Sequence, residues 1–201
     1  MNMFKIITIF ISFSALIVSI CTAYFTLFSR FQVEIFLKPF IILTRCNGQL
    51  SIIISCEIMN KGAKSGIIND IVLLVQNKQS NTVNKTLLLP KYITKKYNLL
   101  KKTKANFEYF QSVAVSGKNH ISRFIIFCPS EDPNFANGEF VFSLYNQSPN
   151  NGHKWCEAKN QILLKIDQTT IDDWKNKDEE LQLDGAETIN YRTELAEKLI
   201  G

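Results

Sequence analysis

Residues 37–58 read LKPFIILTRCNGQLSIIISCEI. An apolar run, an Asn-Gly pair and a second apolar run describe a β-hairpin. Asn47 and Gly48 can both adopt positive φ, which a two-residue type I′ turn demands. Setting Cys46 opposite Gln49 then fixes every other pair. Leu50 faces Arg45, Ile52 faces Leu43, Ile54 faces Ile41 and Ile58 faces Leu37. In this register the apolar side chains of both strands share one face, and a one-residue slip would break the match. Cys56 falls opposite Pro39, so a bridge between Cys46 and Cys56 is not expected.

Outward from the hairpin the chain continues as strands. Ile67, Ile71, Leu73 and Val75 mark a segment from Ile67 to Gln76. Phe107, Tyr109, Val113 and Val115 suggest a less regular one. Ile121 to Cys128 is an apolar run closed by Pro129, which cannot donate to a ladder. Gly138 opens Phe140, Phe142 and Leu144, and Ile162, Leu164 and Ile166 alternate with Leu163, Lys165 and Asp167. Turn signals stand at Asn60-Lys61-Gly62, Ser116-Gly117, Asn137-Gly138 and in the run from Ser148 to Gly152. Short strands between turn clusters, with little helix among them, indicate an antiparallel β-sandwich over residues 30–168.

Before the strands comes an anchor. Ile6 to Phe28 is a run of 23 positions without a charge. A helix of that length crosses a hydrocarbon core of roughly 30 Å. A cleaved signal peptide would have a shorter apolar core and a small-x-small site, whereas this run continues through Tyr24, Phe25, Leu27 and Phe28. Bulky Ile20 argues against lipidation at Cys21. Residues 1–29 therefore read as a single-pass transmembrane helix with an aromatic belt at one end. Arg30, Lys38 and Arg45 after the span, against Lys5 before it, lean the domain towards the cytoplasm.

After the strands, residues 169–201 read as an acidic helical tail. Thr170 is read as the cap of a helix from Ile171, and a second helical stretch is read from about Glu187 to Ile200. Residues 1–170 carry 19 Lys/Arg against 9 Asp/Glu, and residues 171–201 carry 4 against 9. A basic body with an acidic tail suggests contact between the two or with separate partners.

The segment from Ile52 to Val75, a strand followed by Asn60-Lys61-Gly62, a small-residue bend at Ala63 to Gly66 and another strand, resembles the strand–N-x-G–strand unit of immunoglobulin-like bacterial sandwich domains. Phe140-Val141-Phe142 after Gly138-Glu139 is similar to their closing strands. The whole layout resembles uncharacterised bacterial single-pass membrane proteins with an immunoglobulin-like β-sandwich behind an N-terminal helix. That resemblance carries no catalytic residues.

Chemistry is sparse. Lys91, Lys95, Lys96, Lys101, Lys102 and Lys104 form a basic stretch interleaved with Tyr92 and Tyr97. It suits an anionic membrane surface or an acidic protein. A nucleic-acid backbone is disfavoured on a tethered domain, and a plain lysine-protected edge strand or solvated loop is the simplest alternative. His153, Cys156 and Cys128 lack the spacing of a zinc site, and no cofactor motif is present. Of the five cysteines, the four in the domain are read as unpaired thiols, with two disulfides as the alternative. Asn84-Lys85-Thr86 and Asn146-Gln147-Ser148 fit the glycosylation pattern. The function read from the sequence is a membrane-anchored, non-enzymatic interaction module that meets a protein partner or an anionic membrane; an enzyme of unrecognised type is the alternative.

Overall fold

The computed structural model describes residues 3–46, 49–78, 85–95, 108–129, 137–176, 181–183 and 187–190. Helix α1 (Met3–Ala23) runs on through one π-helical turn, Tyr24–Phe28. The strands are β1 (Val33–Cys46), β2 (Gln49–Asn60), β3 (Gly66–Ile68), β4 (Asp70–Asn77), β5 (Lys85–Thr94), β6 (Glu108–Tyr109), β7 (Val113–Val115), β8 (His120–Pro129) and β9 (Gly138–Gln147). A 3₁₀ turn at Pro149–Asn151 leads to β10 (Trp155–Glu157), β11 (Asn160–Ile166), helix α2 (Gln168–Asn176), β12 (Leu181–Leu183) and β13 (Glu187–Asn190).

One antiparallel sheet takes the order β12-β1-β2-β8-β5-β4-β9-β11-β13, with β10 on β9 and β6 on β5; β3 and β7 form a separate pair. The sheet curls until one of its faces encloses the core. That core draws Ile35, Ile41, Ile52 and Ile54 from one half, and Leu73, Phe142, Leu144 and Ile162 from the other. The curl brings β1 and β11 together. Asn160 is buried, its Oδ1 accepts from Leu37 N at 2.7 Å, and its Nδ2 donates to Leu37 O at 2.8 Å. Lys159 N adds a bond to Ile35 O at 2.8 Å. One carboxamide thus supplies both bonds that a neighbouring backbone would otherwise make.

Two prolines stand where the sheet bends. The hairpin pairs Cys46 with Gln49, Leu43 with Ile52 and Ile41 with Ile54, the register expected from the sequence; Asn47 and Gly48 lie outside the described residues. Beyond Ile41 the register shifts, so Leu37 faces Cys56 and Ile35 faces Ile58. The expected pairs Leu37–Ile58 and Pro39–Cys56 are therefore displaced. Pro39 has no N–H to offer, and the strand bulges around it. The shift is by two residues, which preserves side-chain parity and keeps Ile35 and Leu37 in the core. On β5, Pro90 sits at a second irregularity, between Pro90 and Tyr92. There β5 leaves β4 and follows β8, with Leu88 paired to both Leu73 and Pro129.

Three other expectations change. Ile67 to Gln76 is not one strand, since β3 breaks from β4 at Asn69 and pairs with β7. Helix α2 starts at Gln168, capped by Asp167 and not by Thr170. The Asp167 carboxylate accepts from Thr170 N at 2.8 Å, and the bond from the Thr170 hydroxyl, with this backbone bond beside it, holds its pKa below the ordinary value. Over Glu187–Asn190 the expected second helix is a strand paired with β11, while the rest of that stretch lies outside the described residues. Paired strands bury backbone that an isolated short helix would leave to water. The described parts of the acidic tail thus join the edges at β1 and β11, away from the lysine-bearing β5. Trp174 is buried and its indole N–H donates to Thr44 O at 2.8 Å, fixing α2 to β1.

Removing the Asn160 amide leaves two buried backbone groups of Leu37 without partners. Asn160→Ala should lower stability by about 3 kcal/mol, read as a fall in the urea midpoint at an unchanged slope. Ile54→Asp, at a fully buried core position, should abolish cooperative unfolding altogether.

Candidate membrane-proximal interface

Every residue of the described helix from Met3 to Phe28 is exposed, so the domain covers none of its apolar surface. Five of its Ser and Thr hydroxyls are bonded within the helix. Thr8, Ser14, Ser19, Thr22 and Thr26 each donate to the carbonyl four residues earlier, at 2.7–2.9 Å. Ser and Thr hydroxyls in a helix bond the preceding turn in this way, and the helix is long and apolar enough to cross a membrane.

The domain begins where the helix ends. The Ser29 hydroxyl donates to Phe25 O at 3.1 Å and accepts from Ala63 N at 2.7 Å. The Ser29 carbonyl accepts from Ala63 N at 3.0 Å and from Lys64 N at 3.1 Å. Lys61 N donates to Gln32 O at 2.9 Å, and the Phe31 ring packs over Gly66. Helix and sheet are therefore joined by bonded residues, with no free linker between them.

Asn60, 1% exposed, organises this root. Its Oδ1 accepts from Gly62 N at 2.9 Å and Gln32 N at 3.3 Å. Its Nδ2 donates to Lys64 O at 2.9 Å, Ser116 O at 3.0 Å and Val115 O at 3.4 Å. Two glycines permit the close approach. A Cβ on Gly62 would lie 1.7 Å from Arg30 O, and one on Gly117 would lie 1.7 Å from Ala63 O. The Asn60-Lys61-Gly62 and Ser116-Gly117 turns read from sequence thus meet each other and the end of the N-terminal helix.

The same turns carry charge. Arg30, Lys64, Lys118 and Lys154 are exposed. Glu34 takes up two further lysines, Lys61 at 2.6 Å and Lys159 at 3.3 Å. Burial pushes the Glu34 carboxyl up, but bonds from Lys61 and Lys159 outweigh it and hold the pKa below the ordinary value. Lys118 (φ 50°) and His153 (φ 59°) hold left-handed backbone, at a cost of about 1 kcal/mol each. Both lie in turns at this root. Met59, Asn60, Lys61, Lys118, Asn119 and His120 line a shallow hollow of about 310 Å³.

The expected basic stretch is placed only in part. Lys91 lies on β5 with its ammonium 5.8 Å from the Tyr92 ring centre, and Lys95 is exposed just past the strand. Lys96, Lys101, Lys102 and Lys104 lie outside the described residues. The stretch leaves from and returns to one spot, since Ile93 on β5 pairs with Glu108 on β6. Of the three residues counted after the span, only Arg30 stays at the root. Lys38 pairs with Glu57 at 3.4 Å, and Arg45 reaches Lys175 O at 2.5 Å at the far end of β1. Single-sequence reading missed Lys64, Lys118 and Lys154 because their closeness to the helix depends on three separate turns.

The remaining candidates separate. Cys128 is buried on β8, 3.3 Å from the Ser51 hydroxyl, whereas Cys156 lies on β10 near the root. Cys21, Cys56, Cys128 and Cys156 are free thiols, and burial pushes Cys56 up to about 12. Among the described residues no His, Cys, Asp or Glu side chains gather as a metal site. Asn146 is buried and its amide donates to Cys156 O at 2.9 Å, which leaves no room for a glycan there. Asn84 lies outside the described residues.

No protein-family model and no curated protein matches the chain. Among solved structures, a FixG-related protein from Vibrio parahaemolyticus is similar at 10% identity and TM-score 0.36, over 69% of this chain and 96% of that one. An ApaA protein from Bordetella pertussis is similar at 9% identity and TM-score 0.35, over 70% and 98%. Likeness at this level assigns no role to any residue.

Gly62→Ala should cost about 3 kcal/mol, because the clash is with backbone that cannot step aside. Thermal melting of the purified chain reads this. Acid should loosen the root as well. The lowered Glu34 pKa contributes stability that is present above the unfolded value of about 4.3 and is lost as pH falls through the folded value. Glu34→Gln should flatten the pH dependence of melting between roughly pH 5 and pH 3.

Proposed function

We propose that the protein is a single-pass, membrane-anchored interaction module without catalytic activity, whose β-domain is held at the membrane surface and meets a protein partner. The observation that carries this reading is the root itself. A helix with its apolar surface wholly exposed and five of its hydroxyls internally bonded runs directly into bonded backbone of the domain. Such a helix calls for hydrocarbon around it, and such a junction fixes how the domain is presented. Burial of apolar side chains from both halves of the sheet in one core favours an immunoglobulin-like β-sandwich arrangement for the domain. The single sheet runs from β1, β2 and β8 through β5 to β4, β9 and β11, and its two halves share one core. Exposed Leu87, Leu89 and Tyr109 on β5 and β6 offer apolar area for a protein partner. Retention of positive charge beside the helix end favours a cytoplasmic domain.

The anchor is tested by washing membranes with alkaline carbonate and weighing the retained chain by intact mass. The full-length species should stay in the pellet, and deletion of residues 1–28 should release the protein. Release of the intact chain, or a mature species lacking the helix, would refute the anchor.

A further inference from the structure

We infer that the root face is a seat for anionic phospholipid headgroups, with Arg30, Lys64, Lys118 and Lys154 as the contacting charges. The inference deepens the anchor reading and rests on it. Tyr24, Phe25 and Phe28 close the apolar helix, where an aromatic belt meets the headgroup layer. Ser29 follows directly, and Lys64 is one hydrogen bond of 3.1 Å from its carbonyl. Gly117, beside Lys118, is packed against Ala63 O, and Lys118 N donates to Gly62 O at 2.8 Å. The turns are thus bonded to the last residues of the span and reach the headgroup layer with it.

Charge selects the lipid. The root segments 29–34, 59–70, 113–120 and 147–159 hold six Lys/Arg against three Asp/Glu, namely Glu34, Asp70 and Glu157. Glu34 engages Lys61 and Lys159, which leaves the other four basic residues without an ion pair among the described residues. Exposed apolar side chains stand among them, Ile67 at 45% and Trp155 at 48% exposure. Trp155 lies on β10 opposite Gln147, whose carbonyl accepts from Asn69 N beside β3. Cations with an indole and an aliphatic side chain on one face match a layer of phosphates above acyl chains. An acidic protein would have to reach this face through the plane the helix enters.

The test uses the full chain in lipid nanodiscs of phosphatidylcholine, with or without phosphatidylglycerol, and amine acylation followed by peptide mass. Lys64 and Lys118 should react about fivefold more slowly in the anionic discs. Lys165 on β11, distant from the root, should react equally in both. Salt at about 0.5 M should remove the difference. Arg30→Gln should reduce the protection at Lys64, without lowering the melting temperature. Equal rates in the two discs would overturn the inference while leaving the anchor intact. A chain that fails to float with lipid would overturn both. Protection found in native membranes but absent from anionic discs would assign the face to a protein and overturn the lipid reading.

Discussion

The Asn60 carboxamide has four hydrogen-bonding positions, and the fold uses all of them at one point of the chain. Its oxygen takes Gln32 and Gly62, and its amide nitrogen takes Lys64 and the Val115–Ser116 backbone. These partners belong to the start of β1, the turn after β2 and the end of β7. The bonds to Gly62 N and Val115 O are buried, and leaving such a group unpaired costs about 1–3 kcal/mol. Without that side chain the three segments have no common centre, and the bonds to Ser29 lose their support. The attachment of domain to helix therefore rests on one buried amide and on the two glycines that let backbones approach it.

A second amide does a related job for the sheet. Asn160 joins the edges that β1 and β11 present to each other. Pro39 and Pro90 introduce the bends that bring those edges into reach. The prolines break ladders locally and the asparagine restores two bonds elsewhere, so curvature and closure are matched. Between them lies a core of Ile, Leu and Phe from both halves of the sheet. Trp174 of α2 closes the core at one end of the sheet, and Asn60 ties the segments at the other.

Much of this was legible from residue types alone. The Asn-Gly turn set the first register, and parity kept Ile35, Leu37, Ile41 and Leu43 on the core face even after the bulge. Alternation at Phe140, Phe142 and Leu144 and at Ile162, Leu164 and Ile166 marked β9 and β11, and the continuous apolar run from Ile121 to Cys128 marked β8. β5 was missed because its Leu87, Leu88 and Leu89 lack alternation and its lysines drew attention to charge. The second buried cluster, where Ile53 meets Ile42 and Ile126, was invisible because periodicity assigns one face to solvent. The root face was legible only as turns. Asn60, Gly62 and Gly117 were recognised as turn residues, but no local pattern states that three turns converge on a helix end. The basic stretch at residues 91–104 was conspicuous because its charges are adjacent in sequence, whereas those at the root are adjacent only in space.

A fixed angle between helix and domain is the direct consequence of the bonded junction at the root. It is measured most directly by double electron–electron resonance on the reconstituted chain. One spin label is placed at Cys21 on the helix and one at His153→Cys on the root face, with Cys46→Ser and Cys156→Ser to prevent stray labelling. A single narrow distance distribution is expected, broadening on Asn60→Ala while the protein remains in the bilayer. A broad distribution in the parent, unchanged by Asn60→Ala, would show a domain swinging freely on its anchor and would contradict the bonded junction.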